Sequence, residues 1–488
     1  MLSTASAYLR VASFRSAQAL AKHLDDLGWS LPFDDAILTA LASPLGQPLE
    51  IPWLGGKRRI GNRFAVQPME GWDGESDGRP TELTRRRWLR FGSSGAKLIW
   101  GGEAVAVLPE ARANPNQLLL NARTAPAFAV LRAEMVEAHQ QRFGSSDDLL
   151  VGLQLTHSGR FSRPREKNRL EPVIVYHHPV LDVRYPEAGR AEPISESEVG
   201  RIVEAFGAAA RLARDIGFDF VDLKHCHGYL GHEFLSAHHR LGPYGGSFEN
   251  RTRFLRELIG AVRSSAPGLE IGVRLSAYDS IPFGSDPQTG RGIPSEGPRP
   301  YTWGFGVDIQ ESACPSLTEA KQLLGLLRSL GVRLLNVTAG SPYYSAHIQR
   351  PALFPPCDAY SPPEDPLAGV ARLQAAAREL KAVAPDCGLV SSGWTYFQDY
   401  LPHFAQGAVR AGWTDIVGLG RMMLAYPEMP ADVLQKGCLN RKKLCRTFSD
   451  CTNGPRNGLV SGCYPLDPFY KARPEAKQLQ RFKQGSEK

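Results

Sequence analysis

The 488-residue chain has no run approaching the roughly 18 consecutive apolar residues that a membrane-crossing helix needs, so no membrane partner is expected. Its first twenty residues, MLSTASAYLRVASFRSAQAL, carry Arg10 and Arg15 and no acid, which faintly suggests an organellar presequence. They lack the uninterrupted apolar core of a secretory signal. The preferred reading is an amphipathic helix that packs Leu9, Ala12, Phe14 and Leu20 on the main body. Cysteine is sparse, eight in the whole chain, which excludes a disulfide scaffold and fits reduced thiols in a cytoplasm. Charge of one sign is weak too: 57 basic against 50 acidic residues leave +7. More than half of that excess lies after Tyr470, where six Lys/Arg face two Glu without the interleaved aromatics a nucleic-acid arm would have. That tail reads as a solvated end, and no nucleic-acid partner is expected. An early strand followed by G-x-G-x-x-G is also missing, which argues against a doubly wound dinucleotide fold.

What is present is ordinary globular material, 42% apolar and 22% charged, enough for one to three domains. Short runs rich in Val, Ile and Leu recur at 63–67, 96–102, 150–156, 219–224, 270–276, 333–339, 388–393 and 415–420. Runs apolar on both faces suit a buried parallel sheet. Helical patterns separate them, one of which, after SESE, has a capping box formed by Ser195 and Glu198. Eight alternating units predict an α/β fold, a (β/α)8 TIM barrel over 50–435. An N-terminal helical extension (1–49) and a Cys-containing C-terminal extension (436–488) complete the chain. Two connections, 157–195 and 277–316, are overlong and rich in Pro, Gly and Arg. In a barrel, loops after strands sit at the catalytic face, so these two are expected to wall the site.

The segments GFDFVDLKHCHGYLGHEFLSAHHR (217–240) and YGGSFENRTRFLRELIGAVR (244–263) resemble the most characteristic stretch of the old yellow enzyme family, the NADH:flavin oxidoreductases. RFAVQPME (63–70) and LQLTHSGR (153–160) extend the match upstream. IGVRLSAYD (271–279), VTAGS (337–341), VSSG (390–393) and VGLGRMM (417–423) extend it downstream. The resemblance covers about residues 50–430 in the family's order. It implies flavin mononucleotide (FMN) across the top of the barrel, with NADH or NADPH as electron donor and a small-molecule substrate receiving hydride from the flavin N5.

Carried over by position, Pro68, Met69 and Glu70 would line the isoalloxazine, and Gly102 would let the ring approach the backbone. Gln154 would meet the pyrimidine edge with its carboxamide. Arg274 would sit near N1 and O2, where a fixed cation stabilises the anionic reduced ring. Ser392, Gly393 and Trp394, then Gly420 and Arg421, occupy the places after strands seven and eight where such barrels bind phosphate. Gly340 is expected in the same region.

On the substrate side, enone-reducing members place a His, then a His or Asn three residues on, then a Tyr two further on. The matching positions are Lys224, His227 and Tyr229. The pair would hold the substrate carbonyl oxygen and Tyr229 would protonate the α-carbon; Lys224 could equally select a carboxylate or phenolate. Strand alternation aims the neighbouring His225 away from the site. Tyr176, His177 and His178, in the first lid stretch, could reach the substrate, and no third ligand beside the histidines points to a metal.

The change at Lys224 and the cysteine-rich end resemble the branch that contains dienoyl-CoA reductase and trimethylamine dehydrogenase. There a four-iron cluster uses C-x2-C-x3-C-x11-C. Cys451 and Cys463 keep the x11 spacing, Leu444 and Thr447 stand where the first two ligands would be, and Cys445 is out of phase by one. Four thiolates are needed, so the resemblance implies kinship without the cluster, and a zinc site lacks its fourth ligand. The function implied is NAD(P)H-driven reduction of an activated C=C bond. The alternatives are an amine dehydrogenase or demethylase type of flavoprotein and a non-catalytic flavin-binding accessory protein. Assembly into a homo-oligomer stays open.

Overall fold

A computed structural model of the chain describes residues 8–485. The start of the presequence-like stretch, residues 1–7, lies outside the described residues. Eight strands form the barrel: β1 (Phe64–Val66), β2 (Leu98–Ile99), β3 (Leu150–Thr156), β4 (Phe220–Leu223), β5 (Glu270–Ser276), β6 (Leu334–Thr338), β7 (Gly388–Ser391) and β8 (Ile416–Leu419). Each is buried on both faces, as a parallel strand covered by helices must be. Each pairs in parallel with the next, and β8 returns to β1 in the register Val417 to Phe64, so no edge is left. The predicted (β/α)8 barrel is what the chain forms.

One strand differs from expectation. The run 96–102 pairs only over Leu98–Ile99, and pairing resumes at Ala104–Ala106 against Gln154–Thr156 of β3. The cause is local: Gly102 has a left-handed φ of 57°, which takes the chain out of the ladder.

The floor of the barrel is apolar. An antiparallel hairpin, Leu49–Trp53 with Gly56–Ile60, puts Ile51 and Ile60 against Leu98, Trp100, Leu150, Phe220, Leu334, Val390 and Ile416. Trp100 and Phe220 meet edge to face at 5.2 Å. Burying each such side chain contributes about 1.5–3 kcal/mol, so the lower half of the lumen carries stability and leaves the upper half free for polar groups.

Helices follow each strand. The third, Glu196–Ile216, begins with the predicted capping box: Ser195 Oγ accepts from the Glu198 N–H at 3.3 Å, and Glu198 accepts from the Ser195 N–H at 2.8 Å. The amino-terminal helix is shorter than expected, Ala17–Asp26, capped by Ser16. Leu20 and Leu24 are buried as its apolar stripe, whereas Leu9 and Ala12 lie before the helix and are exposed, and Val11 packs inward instead. The overlong loops stand at the strands' C-terminal ends. One carries the turns Leu181–Arg184 and Pro186–Gly189, the other a small hairpin, Phe283–Ser285 with Gly292–Pro294. The C-terminal extension folds back on the barrel, where Asp467 pairs with Arg86 at 2.9 Å and with Arg90, both from the first barrel helix. Among the described residues no helix is long and apolar enough to cross a membrane.

Candidate active site

Above the apolar floor the lumen turns polar, and Asp222 organises that tier. Its carboxylate accepts from Gln154 Nε2 at 2.5 Å, Trp100 Nε1 at 2.7 Å and the Arg274 backbone N–H at 2.7 Å. Burial pushes the Asp222 carboxyl up to about 6 while these donors oppose the rise. A carboxylate only accepts, so Gln154 must turn its amide nitrogen to Asp222. Its carbonyl oxygen and second N–H remain for whatever lies above. Gln67 from the end of β1 exchanges two hydrogen bonds with Asn336 of β6 and donates to Ser392 Oγ at 3.2 Å.

These groups open into a cavity with about 1250 Å³ of empty space, its mouth included. Pro68, Met69 and Glu70 line it beside Gln154, Arg274, Ser392, Gly393, Gly420 and Arg421, so side chains from five strand ends converge there.

Lys224, His227 and Tyr229 enter the same cavity from the loop after β4. Lys224 Nζ lies 2.8 Å from Glu70 Oε1 and 3.9 Å from the centre of the Tyr229 ring. The Tyr229 hydroxyl lies 2.9 Å from that of Tyr343. Burial, then the Glu70 charge, raise the Tyr229 phenol well above its ordinary value, so it keeps its proton at neutral pH. Burial and the charges of Arg274 and Lys224 hold His227 well below the ordinary histidine value, so its imidazole is neutral. His227 has a left-handed φ of 67°, held by hydrogen bonds from its N–H to Ser276 Oγ and from Ser341 Oγ to its carbonyl. His225 is turned away from the cavity, as strand alternation predicts: its Nδ1 meets the Leu223 carbonyl at 3.1 Å and its ring faces Phe254.

The opposite wall is cationic. Arg350 is half-buried, with Nη1 on Thr452 Oγ1 at 2.7 Å and with its buried Nε and Nη2 unpartnered; Nη1 of Arg421 is unpartnered too. Burial, then the charges of Arg456 and Arg421, push Arg350 down to about 9, against the opposing charges of Cys451 and Asp358.

Residues 45–288 match the family model described as NADH:flavin oxidoreductase / NADH oxidase, half of the chain. The chain belongs to that family. An NADPH dehydrogenase of Bacillus velezensis is 33% identical over 248 residues, which cover 50% of this chain and 67% of that relative. Two solved structures are similar in fold. A 2-naphthoyl-CoA reductase in complex with 2-naphthoyl-CoA has a TM-score of 0.64 at 16% identity, covering 89% of this chain and 58% of that one. An old yellow enzyme homologue from Zymomonas mobilis has a TM-score of 0.56 at 19% identity, covering 81% and 94%. The protein is thus a flavin oxidoreductase, and membership brings FMN, with NADH or NADPH as donor.

The cavity of this family member fits that cofactor. The unpartnered guanidinium atoms of Arg350 and Arg421 are the buried donors a phosphate would satisfy. The backbone at Gly393 and Gly420 can approach closely for want of a Cβ. Arg274, whose Nε is also unpartnered, and Gln154, with a carbonyl oxygen and an N–H to spare, are the groups that would meet the ring's polar edge.

Three expected flavin contacts lie elsewhere. Gly102 is not in the cavity wall: a Cβ there would lie 2.5 Å from the Trp88 ring, so its smallness serves that packing. Gly340 faces Ser345 and Ile348, not the cavity. Trp394 is buried with its Nε1 on Ser391 Oγ at 2.9 Å, and Thr395 takes its place in the wall. Tyr176 and His178 also miss the cavity: Tyr176 bonds the Trp303 carbonyl at 3.1 Å, and His178 meets the Tyr301 hydroxyl at 3.0 Å. His177 pairs at the surface with Asp182.

Arg350, Tyr343 and Gln349, all from the loop after β6, were not singled out from sequence, nor was Trp72. The cluster HIQR beside TAGS was the available signal for Arg350. The C-terminal extension supplies Cys451, Thr452, Pro455, Arg456 and Ser461 to the wall, a role no spacing revealed. Burial raises the thiols of Cys445, Cys451 and Cys463 above the ordinary value; Cys451 adds to the rise at Cys445, and Cys445 and Cys451 add to it at Cys463. No group of His, Cys, Asp and Glu among the described residues could hold a metal ion.

Proposed function

We propose that this flavin oxidoreductase uses NADH or NADPH to reduce the activated C=C bond of an enone or related unsaturated carbonyl compound. The observation that carries the reading is the corner where Lys224, Glu70 and Tyr229 meet, in the cavity lined by Gln154 and Arg274. Bound FMN supplies the two-electron carrier between donor and substrate. Arg350, Arg421, Ser392, Gly393 and Gly420 would hold its phosphate, Gln154 and Arg274 its pyrimidine edge, and Pro68 and Met69 its flank.

Lys224 and the neutral His227 would hold the substrate oxygen. Negative charge develops on that oxygen as the β-carbon gains hydride, and a fixed ammonium stabilises it in a water-poor site. Tyr229, protonated at neutral pH, gives its proton to the α-carbon, and Tyr343 at 2.9 Å can replace it. Glu70 acts by position, keeping Lys224 extended over the tyrosine ring. Phe161 and Tyr343, stacked at 4.0 Å, with Trp72 beside them, exclude water from this corner.

The test is an anaerobic titration of the FMN-loaded protein. NADPH or NADH is expected to bleach the yellow flavin, and cyclohexenone to restore it. Colour that returns only with oxygen would overturn the substrate assignment, and bleaching by a secondary amine would reverse the direction.

A further inference from the structure

Next to the flavin cavity lies a second one, with about 1640 Å³ of empty space including its mouth. The two share Trp72, Pro342, Tyr343, Pro455 and Arg456, so they adjoin. The overlong loops after β3 and β5 build its walls, together with the segment after β6. Its charge is one-sided: Arg163, Lys167, Arg184 and Arg456 line it against a single acid, Asp358. Arg456 takes that acid in an ion pair. The other three cations have no carboxylate partner among the described residues. Arg184 donates to Ser295 Oγ at 3.2 Å, Arg163 to the Phe161 carbonyl at 3.4 Å and Lys167 to the Gly458 carbonyl at 3.4 Å. Burial raises the Tyr185 phenol; the charges of Arg184, Arg163 and Arg456 oppose the rise and Asp358 adds to it. Phe283 and Tyr360, with ring centres 6.0 Å apart, add flat apolar surface.

Arg163, Arg184 and Arg456 are half-buried and Lys167 is exposed, and like charges gathered in this way repel one another unless an anion is bound among them. We propose that this outer chamber binds the phosphate-bearing, nucleotide-like end of a reactant whose reactive end enters the flavin cavity past Tyr343. Arginine forks match phosphate oxygens, and the aromatic faces suit a stacked base. The inference rests on the reading that electrons are exchanged in the inner cavity. The same ligand chemistry has two sources: the reduced dinucleotide donor, or an oxidising substrate carried on a phosphorylated nucleotide.

The experiment compares the wild-type holoenzyme with the Arg163→Gln/Arg184→Gln variant and, separately, Lys167→Gln. None of the three touches the inner cavity, and none leaves a carboxylate unpaired. ADP binding is measured by calorimetry. Donor dissociation constants come from anaerobic flavin reduction by NADPH and by reduced nicotinamide mononucleotide, which lacks the adenylate end. The double variant is expected to bind ADP about tenfold more weakly, at two lost charge-assisted contacts, with Lys167→Gln giving a smaller effect. A parallel rise in the NADPH constant, with the mononucleotide unchanged, assigns the chamber to the donor. An unchanged NADPH constant assigns it to the substrate. ADP that fails to bind the wild type, or binds the double variant equally well, overturns the proposal. A holoenzyme that NADPH cannot reduce but that binds ADP as described contradicts only the reading of the inner cavity.

Discussion

Lys224 Nζ lies 2.8 Å from Glu70 Oε1, which ties the loop after β1 to the end of β4 across the cavity. Side-chain exposure is 3% for Lys224 and 19% for Glu70, so the pair is largely out of water. Trp72 Nε1 and the Tyr229 hydroxyl share the second carboxylate oxygen, at 3.0 and 3.4 Å. One carboxylate therefore sets the place of the ammonium, the phenol and the indole together.

Breaking that pair from one side is expected to cost about 3 kcal/mol of stability, because a desolvated charge is left alone. Lys224→Met should show this loss in denaturant unfolding and weaken enone affinity about tenfold or more. Adding Glu70→Gln should recover most of the stability and none of the affinity. Independent, additive losses in the double variant would show that the pair is not coupled.

The cationic wall predicts which part of the cofactor is recognised. Arg350→Ala and Arg421→Ala should each weaken FMN binding to apoprotein by about ten- to a hundredfold. Riboflavin, which has no phosphate, should bind the variants as it binds the wild type. Equal losses for both flavins would mean that these arginines hold the fold and not the phosphate.

Several buried histidines make stability depend on pH. Burial holds His157 and His225 at about 4 and His232 at about 3. Below about 6.5 the unfolded chain protonates these imidazoles while the folded protein does not. Their contribution is complete above that pH and is lost as pH falls toward the folded values, by up to about 1.4 kcal/mol per pH unit for each group. Asp222 and Asp279, raised to about 6 by burial, act in the opposite sense at lower pH. The melting temperature should therefore fall between pH 7.5 and 6, and a rise there would contradict the burial of these rings.

Gly102 has become a packing prediction. With φ at 57° and Trp88 in the path of any Cβ, Gly102→Ala is expected to cost about 1–3 kcal/mol. FMN affinity of the folded fraction should stay the same. A selective loss of flavin affinity would put this glycine back at the ring.

The barrel was legible because its strands are continuous apolar runs separated by capped helices, as at β3, Ser195 and Glu198. The site was legible where the chain meets it at strand ends, at Pro68, Gln154, Lys224 and Arg274. It was not legible where tertiary folding decides. Arg350 sits in a loop whose length gives no register. Arg456 and Cys451 come from an extension that reaches the cavity only by packing back on the first barrel helix through Asp467. Gly102, Gly340 and Trp394 show the converse limit: a residue beside the right motif can still spend its smallness or bulk on a neighbour such as Trp88 or Ser391.

The most direct test is Tyr229→Phe, followed by stopped-flow kinetics of the two half-reactions. Flavin reduction by NADPH should remain within about twofold of wild type, while reoxidation by cyclohexenone slows by about a hundredfold or more, the usual worth of a positioned acid. Equal slowing of both halves, or unaltered reoxidation, would contradict the placing of the substrate's α-carbon at this phenol.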